Sequence, residues 1–437
     1  MIALHIALAL GALPSEAPDA DPAARSHDPS VARVGARIPA RLPAGGREWI
    51  DEAVAAGVKF LLGSQESYAA DPPVGGLPDD ELADWQKKER ARLDRLRGAE
   101  GAAEWPYEGV YRERVAKRQI VIPSGYRVGG TAIVCTALLA ADAGEPNDAT
   151  RAALGRSLDF VLDRIEDDPA MDIGPKGDYD VRGWGHAYAL SMLDAMTRRG
   201  LAPEDRAERV AAAVPALVER IAANQTSMGG WNYAGHDRVS PFMTGATLLI
   251  LFDAKAHGVD VPGDVVDKAL DALEAARSAE VTYAYAGATG ENVAQVSSSA
   301  ARSAAAELAL FHAGRSDARA LRAAVDGFFA GWDDLLVRKS QQGTHKPPYG
   351  IAPYYFYFGH AYAARAIEAL PEEERPALRA QLVERIERTR EDDGTWNDRI
   401  FPRTASYSTA MAILALRAPE LGPGAAYAAP ATSGEQH

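Results

Sequence analysis

Two histidines are the first candidates for chemistry, because each lies in the same pentapeptide, Gly-His-Ala-Tyr-Ala, which begins at Gly185 and again at Gly359. Histidine titrates near neutral pH and is suited to general acid–base catalysis. Two carboxylates, Asp178 and Asp180, precede the first copy, and glycoside hydrolysis requires a pair of carboxyl groups. The candidate catalytic residues are therefore His186, His360, Asp178 and Asp180.

Aromatic residues crowd the segments between the predicted helices and indicate a cavity lined by rings. Such a lining can hold an apolar chain, stack on sugars or stabilise a cation. The run from Tyr354 to Phe358 is the clearest signal, because consecutive rings on a helix point all round it and some must face the interior. The predicted ligand-binding residues are Trp184, His186, Trp231, Tyr233, Tyr283, Tyr355, Phe358, His360, Trp396 and Tyr407.

Acidic residues also collect between the helices, with Asp392, Asp393 and Asp398 close together near the C-terminal end. A pair of loop carboxylates could act on a glycan. The simpler interpretation is that acids before a helix cap its free amides and stabilise its dipole.

The composition excludes several partners. The chain carries 47 Lys and Arg against 61 Asp and Glu, a net charge of −14, and has no basic run. Nucleic acid and anionic membrane surfaces are not expected partners, because binding phosphates needs clustered cations. The single cysteine, Cys135, allows neither an internal disulfide nor a zinc site of paired thiolates. No P-loop, His-Glu-x-x-His or dinucleotide motif is present, and no metal or other cofactor is predicted. Beyond the first residues no segment reaches the roughly 18 apolar residues of a membrane span.

The elements that would position these residues are helices, because apolar residues recur at spacings of three and four from Glu48 onward. Twelve are predicted, in six pairs, near 47–65, 128–142, 148–166, 182–199, 203–224, 241–257, 262–278, 293–313, 316–338, 354–369, 372–391 and 404–417. The second helices of the pairs align at Thr131, His186, Gly245, Ala301, His360 and Ser408, at intervals of 55, 59, 56, 59 and 48 residues. Such a step is typical of stacked helical hairpins.

Six hairpins can close into a ring, so the predicted fold is an all-α (α/α)6 toroid whose second helices form the inner barrel; an open solenoid is the alternative. The longer connections, within the pairs, then share one rim, which is expected to be the functional face. His186 and His360, three steps apart, would lie on opposite sides of the lumen and face it. Tyr188 and Tyr362, two positions on, would point elsewhere, because two helical residues turn by about 200°. The alternative is that both histidines brace neighbouring hairpins.

The ends of the chain differ from the helical part in composition. Residues 1–20 are expected to be a signal peptide or a disordered leader, because Ile2 to Leu13 is apolar and a small-x-small triplet ends at Ala17, although no Lys or Arg precedes Arg25. Residues 21–46 are a linker, 47–419 the toroid with an insertion at 66–126, and 420–437 a disordered tail. The expected location is secreted or periplasmic, and otherwise cytoplasmic.

Two connections carry a recognisable motif. Gln225 to Trp231 reads Gln-x-x-x-Gly-x-Trp, and Gly394 to Trp396 keeps its Gly-x-Trp end. With the matching period, the chain resembles the prenyltransferase and squalene-oxidase repeat superfamily, which contains the squalene-hopene cyclases, other terpenoid cyclases and protein prenyltransferases. The resemblance implies an α/α toroid over roughly Glu48 to Pro419. It also implies that the tryptophans of the motif brace the fold.

The catalytic groups of that superfamily do not carry over. The Asp-x-Asp-Asp acid of its cyclases is absent, and Asp178-Tyr179-Asp180 lacks the adjacent pair. His360 is placed where a prenyltransferase zinc ligand could be, but Cys135 lies in the first repeat and serines occupy 297–299.

The predicted function is that of an exported binding or scaffold protein. Its aromatic cavity would take an apolar or glycan small molecule, or a protein segment; the sequence does not indicate an oligomeric state. The alternative is an enzyme acting on an isoprenoid or a polysaccharide through loop carboxylates and histidines. Charged groups converging within hydrogen-bonding reach inside the cavity would favour the enzyme.

Overall fold

The computed structural model describes residues 46–67, 101–109, 113–114, 120–142, 144–173, 181–232, 238–287, 295–337, 339, 355–399 and 401–428. In chain order its helices are α1 (Arg47–Gly63), α2 (Ser124–Ala141), α3 (Asp148–Asp167), α4 (Arg182–Arg198), α5 (Ala207–Ala223), α6 (Pro241–Ala256), α7 (Gly263–Ala275), α8 (Val296–His312), α9 (Ala318–Ala330), α10 (Trp332–Leu336), α11 (Tyr355–Glu368), α12 (Arg375–Glu387), α13 (Thr404–Leu416) and α14 (Ala418–Leu421).

Six of these helices form a closed inner ring. Helices α2, α4, α6, α8, α11 and α13 each contact the next, and α13 packs against α2. The (α/α)6 toroid is therefore confirmed, and the ring closure excludes the open solenoid. The aligned second-helix segments lie one or two turns inside these six helices.

Burial distinguishes the inner from the outer helices. On the outer helix α5 the buried residues Val210, Ala213, Leu217 and Ile221 follow one face, as expected for a helix covered on one side only. Inner helix α6 is buried at every residue from 241 to 252. Small residues make this packing possible: a Cβ on Gly245 would come within 2.8 to 2.9 Å of backbone atoms of α8.

The connections define two ends of the ring. Those that lead from an outer to an inner helix are long and form what we call the long-connection rim, at the N-terminal ends of the inner helices. Those between pairs are short and form the short-connection rim, at the C-terminal ends. The described part of the 66–126 insertion includes two antiparallel strand pairs, β1 (Glu66–Ser67) with β2 (Ala103–Glu104) and β3 (Glu113–Arg114) with β4 (Ile120–Val121). Residues 79–97 of the insertion, which are rich in charges of both signs, lie outside the described residues.

The C-terminal segment is ordered further than the sequence suggested. Residues 418–428 include α14 and pack on the short-connection rim, where the backbone N–H of Tyr427 donates to the carbonyl of His312 at 2.9 Å. The tail expected from residue 420 is therefore part of the toroid as far as residue 428. Among the described residues, no helix combines the length and apolar character needed to cross a membrane.

Candidate ligand-binding cavity

A cavity of about 420 Å³ lies inside the inner ring. Its lining comes mainly from the middle and C-terminal parts of α2, α4, α6, α11 and α13 and from residues 418–425, so it lies toward the short-connection rim. The apolar lining residues include Ile133, Ile250, Ala361, Met411 and Leu414. The cavity thus lies at the opposite end of the ring from the long-connection rim, where the sequence predicts the functional face.

Two tyrosines meet across the lumen at the inner end of the cavity. The hydroxyl oxygens of Tyr188 on α4 and Tyr362 on α11 are 3.1 Å apart. Both side chains line the cavity and are otherwise almost fully buried. Burial raises the pKa of both phenols, so both stay neutral at physiological pH.

Aromatic rings fill the lumen on the other side of this pair. The Trp184 ring lies 5.2 Å from that of Tyr188, and the Phe358 ring lies 4.3 Å from that of Tyr362. Tyr407 packs 6.0 Å from Trp184 between ring centroids. Three of the predicted ligand-binding residues, Trp184, Phe358 and Tyr407, therefore lie in the lumen. They pack between the tyrosine pair and the long-connection rim and do not line the cavity.

Charged groups converge at the mouth of the cavity. Asp194 on α4 accepts from His257 Nδ1 at 2.9 Å and pairs with Arg198 at 3.3 Å. Arg365 on α11 binds both oxygens of Asp253 on α6, at 2.8 and 3.0 Å. These residues were not predicted as site residues. The sequence feature that could have identified them is a charged residue in the C-terminal half of an otherwise apolar inner helix.

His186 does not line the cavity. Its Nε2 donates to the carbonyl of Met171 at 2.6 Å, and Nδ1 lies 3.1 Å from the amide nitrogen of Asn224. Both partners belong to segments that follow outer helices, so the ring points out of the lumen. Burial lowers the pKa of His186 from 6.5 to about 4, partly countered by the bond to Met171.

His360 is oriented in the same way. Its Nδ1 donates to the carbonyl of Phe356 at 2.8 Å, and its Nε2 accepts from the indole N–H of Trp332 at 2.9 Å. Burial lowers the pKa of His360 from 6.5 to about 4. The expected orientation is thus reversed: the two histidines point outward, and Tyr188 and Tyr362 point into the lumen.

The histidines belong to a set of braces, one on each inner helix. In the first, third and sixth repeats a tryptophan indole donates to the end of an outer helix, in the pairs Trp105–Leu61, Trp231–Ile221 and Trp396–Ile386, at 2.7, 2.7 and 2.9 Å. The backbone N–H of each tryptophan donates to a hydroxyl on the inner helix, that of Thr131, Thr244 or Thr409. In the fourth repeat Ser299 accepts from the Tyr283 N–H at 2.8 Å. In the second and fifth repeats the corresponding contact from the inner helix is made by His186 and His360, which lie within two residues of the aligned hydroxyl positions.

The remaining predicted residues are not brought to the cavity. Tyr283 is fully buried, and its hydroxyl donates to Glu307. Asp178, Asp180 and Tyr233 lie outside the described residues, and of Tyr355 only its place at the start of α11 is described. Cys135 is buried, and burial raises the pKa of its thiol to about 12, as expected of an inert packed thiol. The described residues contain no cluster of three metal-ligating side chains.

Asp398 is a buried acid that the sequence did not distinguish from its neighbours. Its side chain is fully buried beside the sixth repeat's brace, and its backbone N–H donates to the Ser408 hydroxyl at 3.0 Å. Burial raises its pKa from 3.8 to about 7, although the charge of Arg399 opposes the rise.

Several solved structures resemble this chain in backbone fold. No family model matches the sequence, and no curated protein does. The type II terpene cyclase MstE from Scytonema is 15% identical over 84% of this chain and 97% of its own, with a TM-score of 0.44. A possible GH105 family member from Klebsiella pneumoniae is 12% identical over 80% and 98%, with a TM-score of 0.42. A protein from Actinoplanes is 15% identical over 76% and 99%, with a TM-score of 0.41.

Proposed function

We propose that this protein binds a small, uncharged and mainly apolar molecule in the lumen cavity. The observation that carries the proposal is the cavity itself, because about 420 Å³ with an apolar interior and polar groups at its mouth is typical of small-molecule sites. The acids and bases at the mouth pair with one another, which favours a neutral ligand. Export, suggested by the apolar run at Ile2 to Leu13, is part of the proposal.

Filling the cavity provides the test. Ala195 lines it from α4, and a tryptophan there would take up much of the free volume. With acetonaphthone as the probe, Ala195→Trp is expected to weaken binding at least tenfold by calorimetry, since apolar contact area inside the cavity is lost.

The matched control is Ala211→Trp, because Ala211 is exposed on the outer helix α5. This variant should keep the wild-type Kd. Equal affinity of wild type and Ala195→Trp, with both folded by circular dichroism, would contradict a site in the lumen.

The ligand would enter past a strap formed by Gly422 to Tyr427. The strap supplies one wall of the cavity. Arg365 Nε donates to the carbonyl of Pro423 at 2.7 Å, and the N–H of Ala425 donates to Asp253 at 2.8 Å. The Tyr427 ring stacks 5.0 Å from that of Phe252 and anchors the far end.

Loosening the strap should therefore speed ligand exchange. Tyr427→Ala removes the anchor, and we expect the association and dissociation rate constants for acetonaphthone to rise on the order of tenfold by stopped flow. Tyr285→Ala, an exposed ring on the long-connection rim, serves as the control. Unchanged rates in Tyr427→Ala would mean that the ligand enters elsewhere.

Enzymatic action is a second candidate, favoured by the pair of Asp194 and His257. A carboxylate on Nδ1 orients an imidazole, and His257 lines the cavity, as a general base must. Mass spectrometry of acetonaphthone and of small esters and glycosides after incubation separates turnover from simple binding.

A further inference from the structure

Tyr188 and Tyr362 have two hydroxyl hydrogens between them, but only one can be donated within the pair. Each phenol has one O–H, and the contact at 3.1 Å engages only one of the two as a donor. Within the part of the chain that the structure describes, neither hydroxyl has another partner. One O–H hydrogen therefore needs an acceptor from outside the pair.

Among the described residues, the open side of the pair faces the cavity. The rings of Trp184 and Phe358 cover the pair from the long-connection rim and offer no oxygen acceptor. Both tyrosines line the cavity, with 8% and 7% of their surface exposed. A buried donor that stays unpaired is costly, so whatever fills the cavity should supply an acceptor atom.

We infer that the ligand carries an uncharged acceptor oxygen, such as a carbonyl, at the end that enters first. The inference rests on the proposed function and names the ligand class for the same cavity. A carboxylate at that end is disfavoured, because Arg365, the guanidinium whose charge acts on both phenols, is held by both oxygens of Asp253. An anion there would lose its hydration without gaining a counter-charge.

Three probes of nearly the same shape test this. Acetonaphthone has a neutral carbonyl, isopropenylnaphthalene has a methylene in place of its oxygen, and naphthoate has a carboxylate. Wild-type protein should bind acetonaphthone most tightly by equilibrium dialysis, with about a tenfold preference over isopropenylnaphthalene. Naphthoate should bind most weakly.

The decisive variants are Tyr188→Phe, Tyr362→Phe and the double substitution, all of which keep the ring packing. Each single variant retains one O–H free to donate, so the preference for acetonaphthone should persist. The double variant has none, and the preference should fall about tenfold, a pattern that a purely structural role of the pair would not produce.

The outcomes separate the two proposals. If wild-type protein binds none of the probes, the proposed function fails, and this inference fails with it. If it binds them but the double variant keeps the full preference for acetonaphthone, only the inference about the ligand class is overturned. Tightest binding of naphthoate would also overturn it.

Discussion

Replacing Asp398 by asparagine should stabilise the protein at pH 8 by about 3 to 4 kcal/mol and change its stability little at pH 4. The carboxyl is fully buried, and burial raises its pKa from 3.8 to about 7. The folded protein thus holds a proton that the unfolded chain has already released, so stability falls as the pH rises from about 4 to 7. Asparagine has the same shape and never ionises, so the variant avoids this loss.

Urea unfolding at a series of pH values measures the effect. Asp393→Asn in the same turn is the control, because the Asp393 carboxylate accepts from the hydroxyl and the N–H of Thr395, which lower its pKa. That variant should lose a little stability at pH 8. An equal gain for Asp398→Asn at pH 4 and pH 8 would show that charge is not the cause.

The sequence predicted the ring well because the signal for it is periodic. A near-constant step between the second helices requires each hairpin to pack like the last, and the inner helices all lie where the step places them. The bracing role of Trp231 and Trp396 was implied by the family resemblance of their motif, and both indoles donate to the end of an outer helix.

The orientation of the inner helices could not be predicted in the same way. Two residues along a helix differ by about 200°, which placed His186 and Tyr188 on opposite faces. An amphipathic stripe would indicate which face of a helix points into the lumen. However, α4 is buried at every residue from Trp184 to Leu190. A helix covered on both sides gives no such stripe.

The position of the cavity depends on side-chain volume at distant places in the sequence. Near the long-connection rim the lumen is filled by Trp184, Tyr407 and Phe358, which come from three different repeats. Toward the other rim small residues such as Ala195 and Ala361 leave space. Asp398 is another such case, since its burial is produced by packing that its neighbours in sequence do not specify.

Acidification from pH 6.5 to pH 4 is expected to destabilise the protein through His186 and His360. The folded protein keeps both neutral, with pKa values of about 4, whereas the unfolded chain protonates them below about 6.5. Each therefore removes about 1.4 kcal/mol of stability per pH unit in this window. Between pH 4 and pH 6.5, Asp398 has the opposite effect on stability and offsets the contribution of one histidine. Asp398→Asn should therefore make the free energy of unfolding fall more steeply on acidification.

Geometry gives an independent reason for the neutral state of His360. The nitrogen that would take the proton accepts from the Trp332 indole, which can only donate, so protonation breaks that bond. His186→Ala and His360→Ala should each flatten the pH dependence of the unfolding free energy between pH 6.5 and pH 4 and lower its value at pH 7. Because neither ring lines the cavity, both variants should bind acetonaphthone as wild type does. Loss of binding in a variant that still folds would assign that histidine to the ligand and contradict its role as a brace.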